Sequence, residues 1–194
     1  MLLSAPTWGQ SAQEYYEQGM QKMEQANYAA AVNDFDAAIK MKDDDSFMYV
    51  NRGLAYHRFG EYRKAIADFK QAIKINPNAA DFYYYRGVSQ DSLDKHQDAV
   101  DDFNQAIRVD SKKADYYVAR GHVFVKVGDY NTAISNMSFA IQLDEQHAQA
   151  HYLRGMAKFQ LVDSIGACAD WKQAKELGYE AASAMYDNHC GDLR

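Results

Sequence analysis

His147 and His151 stand four residues apart, the spacing at which two imidazoles on one helix face hold zinc. The intervening Ala148-Gln149-Ala150 lacks the glutamate that a zinc protease uses as its base, so the pair reads as packing histidines and no metal is assigned. Asp43-Asp44-Asp45 lacks the alternating oxygens and the glycine of a calcium loop. It sits just before a helix start, where Asp caps free amides. Asn136-Met137-Ser138 matches a glycosylation sequon, yet Met137 falls at a core position inside a helix. Phosphate loops of the GxxxxGK[ST] kind, dinucleotide GxGxxG turns and GxSxG nucleophile elbows do not occur. No cofactor and no catalytic constellation emerge, which argues against an enzyme.

Arg52, Arg86, Arg120 and Arg154 recur every 34 residues and could form an anion-binding ladder. Sixteen residues after them come Asp68, Asp102, Asn136 and Asp170. A guanidinium and a carboxylate so spaced meet across a helical hairpin, so the favoured reading is structural: Arg52–Asp68, Arg86–Asp102 and Arg154–Asp170 pair off. Partial burial would then lower the Asp pKa values on folding. At Asn136 the charge is missing, so Arg120 should lose neutralisation and keep one hydrogen bond.

The elements that position these charges follow from the same period. Gly19, Gly53, Gly87, Gly121 and Gly155 recur at 34, as do Ala31, Ala65, Ala99, Ala133 and Ala167, and then Ala38, Ala72, Ala106, Ala140 and Ala174. Phe35, Phe69, Phe103, Met137 and Trp171 stand midway between the alanines. The repeats are residues 12–45, 46–79, 80–113, 114–147 and 148–181, preceded by a leader over 1–11 and followed by a cap and tail over 182–194. Tyr49, Gly53 and Tyr56 share one face of a first helix, and Ala65, Phe69, Ala72 and Ile73 one face of a second. Gly60 ends the first helix and Pro77 the second. A hairpin of this kind cannot bury its apolar face alone, so the repeats stack.

Composition agrees with a helical protein. Of 194 residues, 47% are hydrophobic and only 2 are proline. A net charge of -6 without a basic block offers no footprint for nucleic acid, and no apolar run approaches the roughly 18 residues that span a bilayer. The uncharged MLLSAPTWGQSA resembles the end of a secretory signal with its basic start missing, with cleavage candidates after Gly9 or Ala12. This points to an exported, periplasmic location, with the cytoplasm as the alternative.

Tyr49, Gly53, Tyr56, Ala65, Phe69, Ala72 and Pro77 resemble the tetratricopeptide repeat (TPR) pattern, and five copies follow it. Lys22, Gln90 and Lys158 depart from it where Tyr56 and Phe124 are aromatic, and the proline occurs in repeat two alone. The resemblance implies an all-α fold: a right-handed α-solenoid of five helix-turn-helix repeats closed by a capping helix at 182–189. It also implies a concave face, built by the first helices, that binds a protein or peptide. Mapped onto this chain, that face holds Tyr16, Met20 and Met23 in repeat one and Val50, Leu54 and His57 in repeat two. Repeat three contributes Tyr84, Val88 and Asp91, repeat four Val118, His122 and Val125, and repeat five Tyr152, Met156 and Phe159. The lining is largely apolar, with Arg58 and Lys126 as its cations, so capture of a terminal carboxylate by a basic clamp is disfavoured. Val88 and Val125 are the lining residues most suited to packing on neighbouring repeats instead.

The closing run from Ala167 to Ala182 resembles the last repeat of exported bacterial TPR proteins, a likeness that suggests Cys168 and Cys190 belong together. Cys168 also fills the slot of Val32, Ile66, Val100 and Ile134, so a small buried apolar group is the other reading. The function implied is a non-enzymatic interaction module. The alternative is a structural subunit whose groove or end is filled by another copy or by an assembly neighbour, which leaves monomer and homo-oligomer both open.

Overall fold

A computed structural model describes residues 10–191. Most of the leader, including the cleavage candidate after Gly9, lies outside the described residues, as do residues 192–194 of the tail. The described residues form eleven α-helices and no strand: α1 (Ala12–Glu24), α2 (Tyr28–Met41), α3 (Ser46–Arg58), α4 (Tyr62–Ile75), α5 (Ala80–Asp91), α6 (His96–Val109), α7 (Ala114–Lys126), α8 (Tyr130–Leu143), α9 (Ala148–Gln160), α10 (Ser164–Glu176) and α11 (Glu180–His189). They fall into two compact units that divide between Ser89 and Gln90.

Helix starts follow side-chain chemistry. Ser11 and Glu14 close a reciprocal capping box on α1. Before the second helices, Asn27, Asp129 and Asp163 each accept from an amide three residues on, whereas Glu61 and Lys95 at the equivalent place make no such bond. The turn before these caps needs a left-handed residue in every repeat. Gly60 and Gly128 supply it at φ 83° and 80°, but Ala26, Asp94 and Val162 adopt φ 55°, 57° and 64° at the same register.

In the first compact unit α1 pairs with α2 and α3 with α4, and each pair is keyed by a glycine facing an aromatic ring. A Cβ on Gly53 would lie 2.8 Å from Phe69, so no larger residue lets these backbones approach as closely. Phe69, Ala65 and Ala72 are fully buried and pack with Val50 and Phe82; Phe35, Ala31, Val32 and Ala55 form the neighbouring cluster. Burial of a ring such as Phe69 contributes about 3 kcal/mol or more, judged by the cost of truncating one to alanine.

The second compact unit pairs α7 with α8, where Gly121 faces the Met137 side chain, and α9 with α10, where Gly155 faces the Trp171 ring. Trp171 is fully buried, and a Cβ on Gly155 would come within 2.6 Å of its indole nitrogen. The capping helix α11 begins at Glu180, two residues before the sequence placed it, and packs against α10. A disulfide joins Cys168 to Cys190 with Cα atoms 5.7 Å apart. It ties the end of α11 over a cluster of Ala167, Cys168 and Trp171, with Tyr152, Met156 and Phe159 packed at its margin.

Candidate functional site

The first compact unit holds a cavity of about 240 Å³ lined by Leu54, His57, Arg58, Phe69, Tyr84, Tyr85 and Val88. Leu54, His57, Tyr84 and Val88 belong to the lining read from the sequence, and the structure brings all four together. Phe69, a packing position by its register, and Tyr85, which the sequence does not single out, form a wall with rings 5.8 Å apart. Their contribution follows from helix pitch: Tyr85 adjoins Tyr84 on α5, and Phe69 lies where the α3 glycine leaves room.

His57 is held in place. Ser89 donates its hydroxyl proton to the Tyr85 carbonyl at 3.0 Å, so its oxygen accepts from Nδ1–H of His57 at 2.9 Å. That tautomer leaves Nε2 of His57 as an acceptor. Burial, reinforced by the neighbouring Arg58 cation, lowers the His57 pKa, which keeps the ring neutral at pH 7. The site therefore presents apolar and aromatic surface, a neutral imidazole and one exposed cation, Arg58.

Other lining residues have different fates. Val50 and Val118 are only 5% and 4% exposed and belong to packed clusters, which removes both from the candidate surface. The valines that retain some exposure are Val88 and Val125, the reverse of the expected order. The physical reason is helix overlap: the fifth position of a first helix faces the next hairpin, and a β-branched side chain is short enough to be enclosed there. Tyr16, Met20 and Met23 are half-buried beside the Phe35 cluster. In repeat five Tyr152 stacks 4.9 Å from Tyr179, and Phe159 lies 4.9 Å from the His189 ring of α11. Asp91 and Lys126 bind one another at 2.7 Å, and His96 adds a contact to Asp91 at 2.9 Å. Burial and Lys126 lower the pKa of His122, with Asp91 opposing them.

Three cations of the arginine ladder, Arg52, Arg120 and Arg154, each have a forward and a backward partner. Arg52 donates through Nε and Nη2 to Asp68 at 2.9 and 2.7 Å, and through Nη1 to Asp36 of the preceding repeat at 2.6 Å. Arg154 holds Asp170 at 2.9 and 2.6 Å and reaches Ser138 at 3.3 Å. Arg120 donates to Asn136 and Asn104 at 2.7 and 2.6 Å. The backward partner, sixteen residues before each of these three arginines, was missed, although the same spacing read in the opposite direction reveals it; before Arg86 that position is Lys70, a cation. Arg86 lies over the Tyr83 ring at 5.8 Å, and Asp102 is buried in α6.

The carboxylates do not all shift as expected. Burial raises the pKa of Asp68, outweighing Arg52, while the second carboxylate, Asp36, adds repulsion. Burial alone would lower Arg52, but two carboxylates bonded to it raise it instead. One cation serves two anions, and that asymmetry explains why both partners rise. Burial also opposes ionisation of Asp170, but His151, Arg154 and Lys158 together hold its pKa well below the usual carboxylate range. Lys158 binds Asp170 at 2.8 Å and Lys22 binds Asp34 at 2.5 Å. Two departures from the aromatic column are thus cations for the buried aspartates.

The two sequence histidines act separately. His147 caps α9 by accepting from Ala150 at 3.3 Å, and His151 donates from Nε2 to the Glu145 carbonyl at 3.0 Å. Asp45 accepts from Phe47 at the start of α3. Among the described residues no group of three His, Cys, Asp or Glu is arranged for a metal, and no helix is long and apolar enough to cross a membrane.

Stacked antiparallel helix pairs, keyed by Gly19 on Phe35, Gly53 on Phe69, Gly121 on Met137 and Gly155 on Trp171, define an all-α repeat protein. The tetratricopeptide repeat family matches it at residues 47–79 and, through a second pattern of the same repeat, at 16–62 and 118–164, so the chain belongs to that family. Solved structures share the fold. MamA from Desulfovibrio magneticus RS-1 is 18% identical at a TM-score of 0.78, covering 87% of this chain and 96% of its own. TTC0263, a thermophilic TPR protein of Thermus thermophilus, is 17% identical at a TM-score of 0.73, over 92% of this chain and 98% of its own. YrrB, described as a TPR protein with an unusual peptide-binding site, is 17% identical at a TM-score of 0.70, over 92% of both chains. No curated protein sequence matches the chain. The TPR fold is in general a non-enzymatic protein-interaction fold.

Proposed function

We propose that this protein is a non-enzymatic binding module that anchors a partner protein or peptide in the cavity between α3 and α5. The observation that carries this reading is the convergence of Leu54, His57, Tyr84 and Val88 with Arg58 around about 240 Å³. That volume lies below the usual range of small-molecule sites and suits a single large side chain. Tyr84 and Tyr85 supply rigid amphipathic surface, and neutral His57 offers an acceptor. The peptide-binding site named for YrrB supports the class of ligand. The Cys168–Cys190 disulfide supports an exported, oxidising compartment.

The test is quantitative binding of a partner isolated from the native source. Tyr84→Ala should weaken the complex by about 1 to 3 kcal/mol with helicity and melting temperature preserved. Leu54→Asp should abolish it. With one cation on the rim, the affinity should change little between low and high salt. Binding that survives both substitutions in folded protein would move the interface elsewhere. Val118→Asp is no control, because Val118 is buried and its substitution would report on folding. The structural-subunit reading predicts concentration-dependent mass by light scattering that Leu54→Asp reduces.

A further inference from the structure

The second compact unit contains a cation that the ladder does not neutralise. In repeats two and five the corresponding arginine directs Nε and Nη2 to the two oxygens of one aspartate, Asp68 or Asp170. At Arg120 that aspartate is Asn136, which has a single oxygen, and Nε takes it at 2.7 Å. The amide nitrogen of Asn136 donates to the Thr132 carbonyl at 2.8 Å. Where Asp68 presents its second acceptor, Asn136 therefore presents a donor, and Nη2 of Arg120 makes no hydrogen bond among the described residues. The backward partner is also neutral: Asn104 accepts from Nη1 where Arg52 meets Asp36. The two positions that hold Asp68 and Asp36 around Arg52 thus hold amides around Arg120.

This guanidinium opens onto a pocket of about 190 Å³ lined by Tyr117, Arg120, Ser135, Asn136 and Phe139. Tyr117 and Phe139 stack with centroids 5.1 Å apart, and Arg120 lies over the Tyr117 ring at 5.5 Å. The Tyr117 hydroxyl is turned to the Ser111 carbonyl and the Ser135 hydroxyl to that of Asn131, so neither competes for the cation. Burial lowers the pKa of Arg120 with no carboxylate to oppose it, the reverse of Arg52.

We infer that the Arg120 pocket is an anion site that takes one carboxylate on an apolar stem, the oxygen accepting from Nη2 and the stem lying along Tyr117 and Phe139. A carboxylate supplies the acceptor that Asp68 and Asp170 provide internally, and a half-buried guanidinium bonds such a group more strongly than water does. The site is separate from the α3/α5 cavity and does not depend on the function proposed for it. Two sources offer this chemistry: a free small carboxylate, or an acidic side chain of a bound protein.

The test follows the Nε–Hε resonance of Arg120 by NMR at constant ionic strength. Sodium benzoate is titrated in one arm and N-acetyl-glutamate N-methylamide in the other, with sodium chloride as control. A saturable shift with either carboxylate, absent with chloride, supports the site, and the tighter probe identifies the source. Asn136→Asp supplies the missing acceptor from within and should weaken probe binding by about tenfold or more while the protein stays folded. Arg120→Gln, checked by circular dichroism, should abolish the saturable shifts of Phe139 and Tyr117. No saturable response to either carboxylate, or an equal response in folded Asn136→Asp, overturns the inference.

Discussion

Asp170→Asn should destabilise the protein far more than Asp68→Asn, although both residues are buried partners of a repeat arginine. Asp170 is 4% exposed and receives two bonds from Arg154 and one from Lys158 at 2.8 Å, with Nδ1 of His151 3.7 Å away. Asparagine leaves one acceptor oxygen among these groups and strips the counterion from both Arg154 and Lys158. Breaking a buried pair costs about 3 to 5 kcal/mol, and the partial exposure of both cations sets the expected loss at about 3 kcal/mol. After Asp68→Asn, Arg52 keeps Asp36 at 2.6 Å and an amide oxygen in the manner of Arg120 and Asn136. Ionised Asp68 already suffers from burial, so that loss should be about 1 kcal/mol. Urea unfolding at pH 7 followed by circular dichroism measures both. The pH dependence has a sign for each. Asp170 is depressed on folding, so its contribution is complete above the unfolded carboxylate value near 4 and is lost as pH falls through the folded value. The deficit of Asp170→Asn should therefore narrow below about pH 4. Asp68 is raised, so its ionisation costs stability as pH rises through the same region. Equal losses at pH 7, or an Asp170→Asn deficit unchanged by acid, would refute the reasoning.

Replacing Cys168 and Cys190 together by alanine should cost about 3 kcal/mol on the chain-entropy argument, and proteolysis should then cut α11 first; full resistance would show that packing alone holds the helix. Val162→Gly should raise stability by about 1 kcal/mol in equilibrium unfolding, because Val162 is 86% exposed and sits at φ 64°, so strain is relieved with little apolar burial lost. Gly53→Ala should destabilise by more than about 1 kcal/mol, since its new Cβ meets the enclosed Phe69 ring at 2.8 Å; an unchanged melting temperature would mean that α3 and α4 separate freely.

The repeat architecture was legible because small residues must recur wherever two helices touch, and Gly53 opposite Phe69 or Gly155 opposite Trp171 leaves no other choice. The cavity was half legible. Leu54, His57, Tyr84 and Val88 came from register, whereas the loss of Val50 and Val118 to the core depends on how far the next hairpin overlaps, which register does not encode. Ala26, Asp94 and Val162 hide a left-handed turn that only Gly60 and Gly128 advertise. The roles of Lys22 and Lys158 were hidden for a related reason: a broken aromatic column looks like poorer packing until Asp34 and Asp170 are seen within reach.

The backward bonds of the arginines also grade how firmly one repeat holds the next. Stability in a stack of repeats is approximately a sum of intrinsic terms and nearest-neighbour couplings. Arg52 couples repeats one and two through an ion pair at 2.6 Å, Arg120 couples three and four through a neutral amide at 2.6 Å, and Arg154 couples four and five through a hydroxyl at 3.3 Å. Cooperativity should therefore weaken toward the carboxyl end, where the disulfide binds repeat five to its own cap and not to repeat four. Under force or mild denaturant, repeat five and α11 would detach as one block, and amide exchange at the seam between α8 and α9 would be the first to report it.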